Sequence, residues 1–150
     1  MSRRIHVLMW FLLSPGIVLP ACGTARKQLP VVPVAGDLFF QGKPAVGAMI
    51  VLHPTAGSAP ASEWTAGYPR AIVAPDGSFR VCTYGIDDGA PEGEYLVLVQ
   101  WQQSTPEAES EDDEVAFTDR LQRRYADPNK SKLRATILGP LTQLPRFDID

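Results

Sequence analysis

Gly93-Glu94-Tyr95-Leu96-Val97-Leu98-Val99-Gln100-Trp101 is the stretch on which the fold turns. In an extended chain Tyr95, Val97, Val99 and Trp101 share one face, while Leu96 and Leu98 share the other. Aromatic and β-branched residues dominate it, which predicts a strand with an apolar face turned to a core. The turn-rich run Asp87-Asp88-Gly89-Ala90-Pro91-Glu92-Gly93 feeds it from upstream. Gly93-Glu94-Tyr95 at its start has the form of a tyrosine corner, in which the phenol hydroxyl bonds back to earlier backbone and pins a Greek-key crossover. Tyr95 is therefore read as structural rather than catalytic.

Working outward, Val34, Gly36, Leu38 and Phe40 alternate on one face of a first strand, and Gln41-Gly42-Lys43-Pro44 turns the chain. Val46 to His53 is a second strand with apolar residues on both faces, which predicts cover on each side. His53-Pro54 ends it. Residues 54–69 form a loop rich in Ala, Ser, Gly and Pro that carries Trp64 and Tyr68. Tyr68 to Val73 leads into a third strand, Asp76-Gly77 signals a hairpin, and Ser78 to Tyr84 returns. Composition changes at 102–114, where Glu107, Glu109, Glu111, Asp112, Asp113 and Glu114 predict a solvated loop. The 115–126 region predicts one short helix, capped by Thr118 or Asp119 and supported by an Asp119–Arg123 pair. Leu133, Ala135 and Ile137 alternate in a further strand. After Gly139-Pro140, Leu144 to Ile149 forms an edge strand carrying Pro145. The expected fold is all-β: one domain over 31–150, an antiparallel Greek-key β-sandwich of about seven strands.

The N-terminus reads as an export signal over residues 1–21. Arg3 and Arg4 give the positive start, Val7 to Leu13 is unbroken apolar, and Pro15-Gly16 would break a membrane-spanning helix. Leu19-Pro20-Ala21-Cys22 resembles the lipobox of bacterial lipoproteins, with Pro20 in an unusual place. The resemblance implies that Cys22 is lipidated and begins the mature chain, and that 22–30 is anchor and tether. The competing reading is an ordinary secretory leader cut near Cys22, which would leave a Cys22–Cys82 disulfide available. With Cys22 acylated, Cys82 is expected to be an unpaired core thiol. Loss of Arg3 and Arg4 lowers the basic count from 14 to 12 against 17 acidic residues, which excludes a general polyanion partner such as nucleic acid.

Three stretches resemble carboxypeptidase regulatory-like domains: Val34-Ala35-Gly36-Asp37-Leu38 through Gly42 to Leu52, Ala74-Pro75-Asp76-Gly77-Ser78-Phe79, and Pro91-Glu92-Gly93-Glu94-Tyr95-Leu96-Val97. With Arg124-Tyr125-Ala126-Asp127-Pro128, the chain is similar to small lipoproteins of planctomycete bacteria. The resemblance implies a prealbumin-like (transthyretin-like, Ig-like) sandwich that serves as a non-catalytic accessory, and related sandwiches bind carbohydrate or protein. A hydrolase of the urate pathway shares that fold. Its several histidines and C-terminal Tyr-Arg-Gly-Ser find no counterpart in Pro145-Arg146-Phe147-Asp148-Ile149-Asp150.

The residues themselves offer little chemistry. His53 is the one histidine left after the leader, and no nucleophile is marked near it in sequence. No Cys/His cluster has zinc-ligand spacing, so neither metal nor cofactor is expected. Asp87, Asp88 and the 107–114 acids could offer oxygens to calcium, but their spacing is not that of an EF-hand. Trp64 and Tyr68 are the candidate ligand-binding residues, since a loop has less packing need for aromatics. The expected function is a lipid-anchored module of the periplasm or cell surface. It would meet the membrane through its N-terminal lipid and an envelope protein as its partner. Carbohydrate binding is the alternative, and a transthyretin-like hydrolase is the remote one.

Overall fold

The computed structural model describes residues 28–55, 63–64, 66–104 and 117–150. The expected signal, Cys22 and the acidic run lie outside them. In chain order the strands are β1 (Val34–Phe40), β2 (Lys43–Pro44), β3 (Met49–Pro54), β4 (Arg70–Ile72), β5 (Ser78–Arg80), β6 (Gly93–Gln100), β7 (Gln102–Ser104), β8 (Phe117–Asp119), β9 (Arg134–Ile137), β10 (Thr142–Gln143) and β11 (Phe147–Ile149). Two sheets enclose one core. In the first, β1 is the central strand, with β5 and β2 on one side and β10 and β11 on the other. The second has the order β4-β3-β6-β9, and β7-β8 forms a separate hairpin.

The alternation read from sequence sets the inward faces. Val34 and Leu38 of β1, Ile50 and Leu52 of β3, and Tyr95, Val97 and Val99 of β6 are all buried in a single cluster. Phe79, Phe147 and Ile149 reach it from the first sheet, and Ala135 and Ile137 from the second. At about 25 cal/mol per Å² of apolar surface, this shared interior is the main stabilising term. Gly36 is required where Phe79 crosses β1, because a Cβ there would lie 2.5 Å from the ring.

Four expectations are corrected. The chain is cut into eleven short strands among the described residues rather than about seven, and it is not wholly antiparallel. Strands β10 and β11 run parallel to β1. The turn after β9 carries the chain to the opposite sheet, where it enters beside the start of β1 and shares its direction. One extra residue separates the two registers (Val34↔Thr142, then Leu38↔Phe147), at Leu144-Pro145-Arg146. A proline has no N–H to donate and sits where the ladder is interrupted.

The Asp76-Gly77 turn joins strands in different sheets, not the arms of one hairpin. β4 pairs with β3, and β5 pairs with β1. The turn is held by Ala74 N–H to Ser78 O (2.8 Å) and is captured by β1, where Leu38 N–H donates to Gly77 O (2.9 Å). A lone bridge, Arg70↔Cys82, staples the two sheet edges beyond it.

No helix forms between Phe117 and Tyr125; the chain makes strand β8 and then turns. Asp119 does act as a cap, but for a turn. Its carboxylate accepts N–H groups of Trp101 (3.0 Å), Leu121 (3.2 Å) and Arg123 (2.8 Å). Gln122 and Arg123 then take left-handed backbone (φ 51° and 59°), which ends any helical run. A short polar side chain has outcompeted the helix for backbone donors. Strand β3 is fully covered on one face and only partly on the other, where Met49 and Val51 are half-buried.

The tyrosine corner forms. The Tyr95 hydroxyl donates to Pro91 O at 2.7 Å, buried, four residues upstream. Burial, with a smaller effect of Tyr84, pushes the phenol pKa well up, so the hydroxyl remains a donor. Tyr95→Phe is expected to lower stability by about 1–3 kcal/mol through loss of that buried bond. Urea denaturation should show a lower midpoint at unchanged slope.

Candidate functional site

The structure brings Trp64 and Tyr68 together and adds His53 and Tyr95 to them. Trp64 meets Tyr68 edge to face (centroids 5.7 Å apart) and Tyr95 likewise (6.2 Å). Tyr68 also meets His53 (4.9 Å). Trp64 is only 8% exposed and belongs to the core, whereas Tyr68 is half-buried. The loop aromatics thus close one end of the sandwich, and Tyr68 is the accessible member of the pair. His53 is held by this packing, with its Nδ1 buried and without a hydrogen-bond partner. Beside it, a shallow groove of about 580 Å³ runs along β3, β6 and β9, with Glu94 and Arg134 on its walls.

The aspartates of the 83–89 loop have different tasks. Asp88 Oδ1 accepts the Thr83 N–H (2.7 Å), and Oδ2 accepts those of Tyr84 and Gly85 (both 2.9 Å). Desolvation opposes the charge, but these three donors outweigh it and hold the carboxyl below its ordinary pKa. Both oxygens are thereby directed into the protein's own backbone, which removes the better half of the sequence-based calcium candidate. Gly89 beside it (φ 94°) touches backbone so closely that a Cβ would lie 1.8 Å from Val32 O. Asp87 is exposed. No group of three or more His, Cys, Asp or Glu gathers among the described residues.

Cys82 is not the fully buried thiol expected. It is half-buried, and its Sγ–H donates to Arg70 O at 3.2 Å. It lines a groove of about 520 Å³ with Met49, Arg70, Ile72, Phe79 and Arg80. The bridge with Arg70 places the side chain at a sheet edge, where the described residues cover it only in part. The groove continues onto the outward face of the four-stranded sheet. There the register aligns Ile72 with Met49, Val51 with Leu98, and His53 with Leu96. Ile72 is 60% exposed, and Met49, Val51 and Leu96 are half-buried. A partly open apolar face of this kind is the form of surface that proteins use to bind one another.

Sequence reasoning missed a second aromatic corner. Trp101, expected in the core, is half-buried. Its indole N–H donates to Val46 O (3.0 Å), Phe40 meets it edge-on (5.6 Å), and the Arg120 guanidinium lies 4.3 Å from its ring centre. This cation–π stack covers the ring at the end of the sandwich away from Tyr95. The strand alternation was a fair signal for Trp101, but Arg120 is brought to it by the turn that replaced the expected helix.

No protein-family model and no curated protein matches the chain. Among solved structures it is similar to a 9R-lipoxygenase from Cyanothece PCC8801, at 14% identity and a TM-score of 0.43. That likeness covers 80% of this chain and 16% of the lipoxygenase. It is also similar to a proposed carbohydrate binding protein from Pseudomonas aeruginosa, at 13% identity and a TM-score of 0.41, covering 81% of this chain and 92% of that one. At these scores neither likeness bears on activity.

The Asp88 brace sets a pH dependence. Its pKa is lower folded than unfolded, so its stabilisation is complete above the unfolded value near 4 and is lost as pH falls through the folded value. Asp88→Asn turns an amide donor toward backbone donors and should cost about 1–3 kcal/mol at pH 7. The gap between variant and parent should narrow as pH is lowered toward 3, measured by thermal unfolding across the series.

Proposed function

We propose that this chain is a non-catalytic, lipid-anchored protein of the cell envelope whose sandwich serves as a structural or protein-binding module. In this reading it is a carboxypeptidase regulatory-like domain with Greek-key connections, exported to the periplasm or cell surface and held there through Cys22. The observation that carries the binding role is the outward face of the four-stranded sheet. Ile72, Met49, Val51 and Leu96 form an apolar strip beside Arg70 and Arg134, which supply a polar rim. The polar side chains of the loops support a scaffold. Asp88, Asp119 and the Tyr95 hydroxyl all bond to local backbone.

The carbohydrate-binding alternative would draw on Tyr68, the more accessible loop aromatic. It lacks the pair of open rings that sugar stacking would favour, because Trp64 is packed into the core.

A photo-reactive residue in place of Ile72 should give a discrete protein adduct in intact cells. Met49→Glu should weaken that adduct about tenfold, the effect of roughly 1.4 kcal/mol lost from an interface. The thermal midpoint should be little changed, since Met49 lies outside the core. A smear of adducts, indifferent to Met49→Glu, would remove the protein-binding reading. Binding on a glycan array that Tyr68→Ala abolishes would favour the alternative.

A further inference from the structure

Three large apolar side chains project from one end of the sandwich: Ile86 (94% exposed), Leu138 (69%) and Leu141 (70%). Topology puts them together. Val81 N–H bonds to Val34 O, so the 83–89 loop that follows it extends past the start of β1. Strand β10 enters parallel to β1 at Val34↔Thr142, so the 138–141 turn before it lies at the same end. The turn is fixed there by Gly139 N–H to the Glu92 carboxylate (2.8 Å) and by Leu138 N–H to Thr142 Oγ1 (3.2 Å). Thr83, Asp88 and Thr142 are thus engaged internally, and the apolar tips are left outward. This is also the end where the described chain enters. Leu29 N–H bonds to the Tyr84 hydroxyl (2.9 Å), and Val32 bridges Ala90.

We infer that this end is seated on a lipid bilayer, with Ile86, Leu138 and Leu141 entering the interfacial layer. The inference rests on the lipid-anchor reading of Cys22. Six residue steps separate Cys22 from Gln28 and span at most about 22 Å. Strand β6 runs from this end to the other, and its eight residues measure about 23 Å. Were the domain inverted, the entry end would stand farther from the bilayer than the tether reaches. The opposite end offers less apolar surface: among the described residues Val46 is its one exposed large apolar side chain (45%), beside the exposed cations Lys43, Arg123 and Arg124. At the entry end Asp87, Glu92 and Glu94 are exposed, with Arg70 and Arg80 at its edge, so the charge there is mixed and a zwitterionic headgroup suits it.

The test uses the full lipidated chain in phosphatidylcholine vesicles, with Cys82→Ser as background. An environment-sensitive fluorophore is attached through Ile86→Cys, Leu138→Cys or Leu141→Cys, and through Gln122→Cys as the far-end control. The three tips should brighten several-fold on reconstitution and be quenched by nitroxide lipid, while Gln122→Cys should not respond. Incorporation of a palmitate analogue is scored on the same samples. A chain that takes no palmitate overturns the anchor, and the orientation with it. An acylated, vesicle-bound chain whose three tips stay as wet as Gln122→Cys overturns the orientation alone. Tips that brighten with protein concentration and ignore the nitroxide lipid would mean a second copy covers them, which also overturns it.

Discussion

Strand β1 is the one partner that every other strand of its sheet requires. β2 and β5 bond to one side of it and β10 and β11 to the other, and none of the four is longer than three residues. Isolated strands of that length hold no structure, because backbone ordering costs about 1–2 kcal/mol per residue. They persist because β1 supplies a continuous ladder and because Val34 and Leu38 tie it to the core. The crowding around β1 follows from this dependence. Gly36 leaves room for Phe79 to cross it, and Gly89 lets the 83–89 loop pass against Val32. A strand that must serve four partners can carry little bulk where they meet.

The second sheet is built on longer pairing, with β3 and β6 in register over six residues, and it needs less help. What it lacks is secure ends. The tyrosine corner supplies one, since Tyr95 reaches from the core to the backbone just upstream of β6. Ser131 supplies another brace on the same strand, with its hydroxyl donating to Val97 O at 2.7 Å, buried. Asp119 ties the exit of β6 to the turn beyond it. Side chains that sequence inspection would weigh as candidate acids or hydroxyl nucleophiles are therefore bonded to backbone groups that a sheet of finite length leaves open.

Much of this was legible in the sequence where local pattern and global structure agree. The inward faces of β1, β3 and β6 follow from alternation, and the tyrosine corner follows from Gly93-Glu94-Tyr95. The failures share one cause. Each was a choice between near-equal local structures that distant residues decided. Asp76-Gly77 specifies a turn, but only the placement of β1 decides that its arms join different sheets. Residues 117–125 have a helix-like charge pattern, yet the free N–H of Trp101 captures Asp119 from outside the segment. Trp64 and Trp101 exchange their expected places for the same reason. A loop aromatic finds Tyr95 and is buried, while a strand aromatic runs past the core's edge and is covered by Arg120. Cys82 has an apolar neighbour in sequence, Val81, but it sits at the edge of a sheet rather than beneath one.

The two ends and the two faces of the sandwich consequently differ in kind. The apolar strip on the four-stranded sheet lies on a side wall, whereas Ile86, Leu138 and Leu141 lie at the entry end. Docking on a side wall leaves the end free, and seating the end leaves the wall free. With Cys22 acylated and the entry end seated on the bilayer, the wall would stand roughly perpendicular to the membrane. A partner meeting the chain in the envelope would then search in two dimensions for a surface of fixed orientation. Reducing rotational freedom before encounter lowers the ordering cost of association. Under that geometry the strip of Ile72, Met49, Val51 and Leu96 would be offered to a partner at a lowered ordering cost.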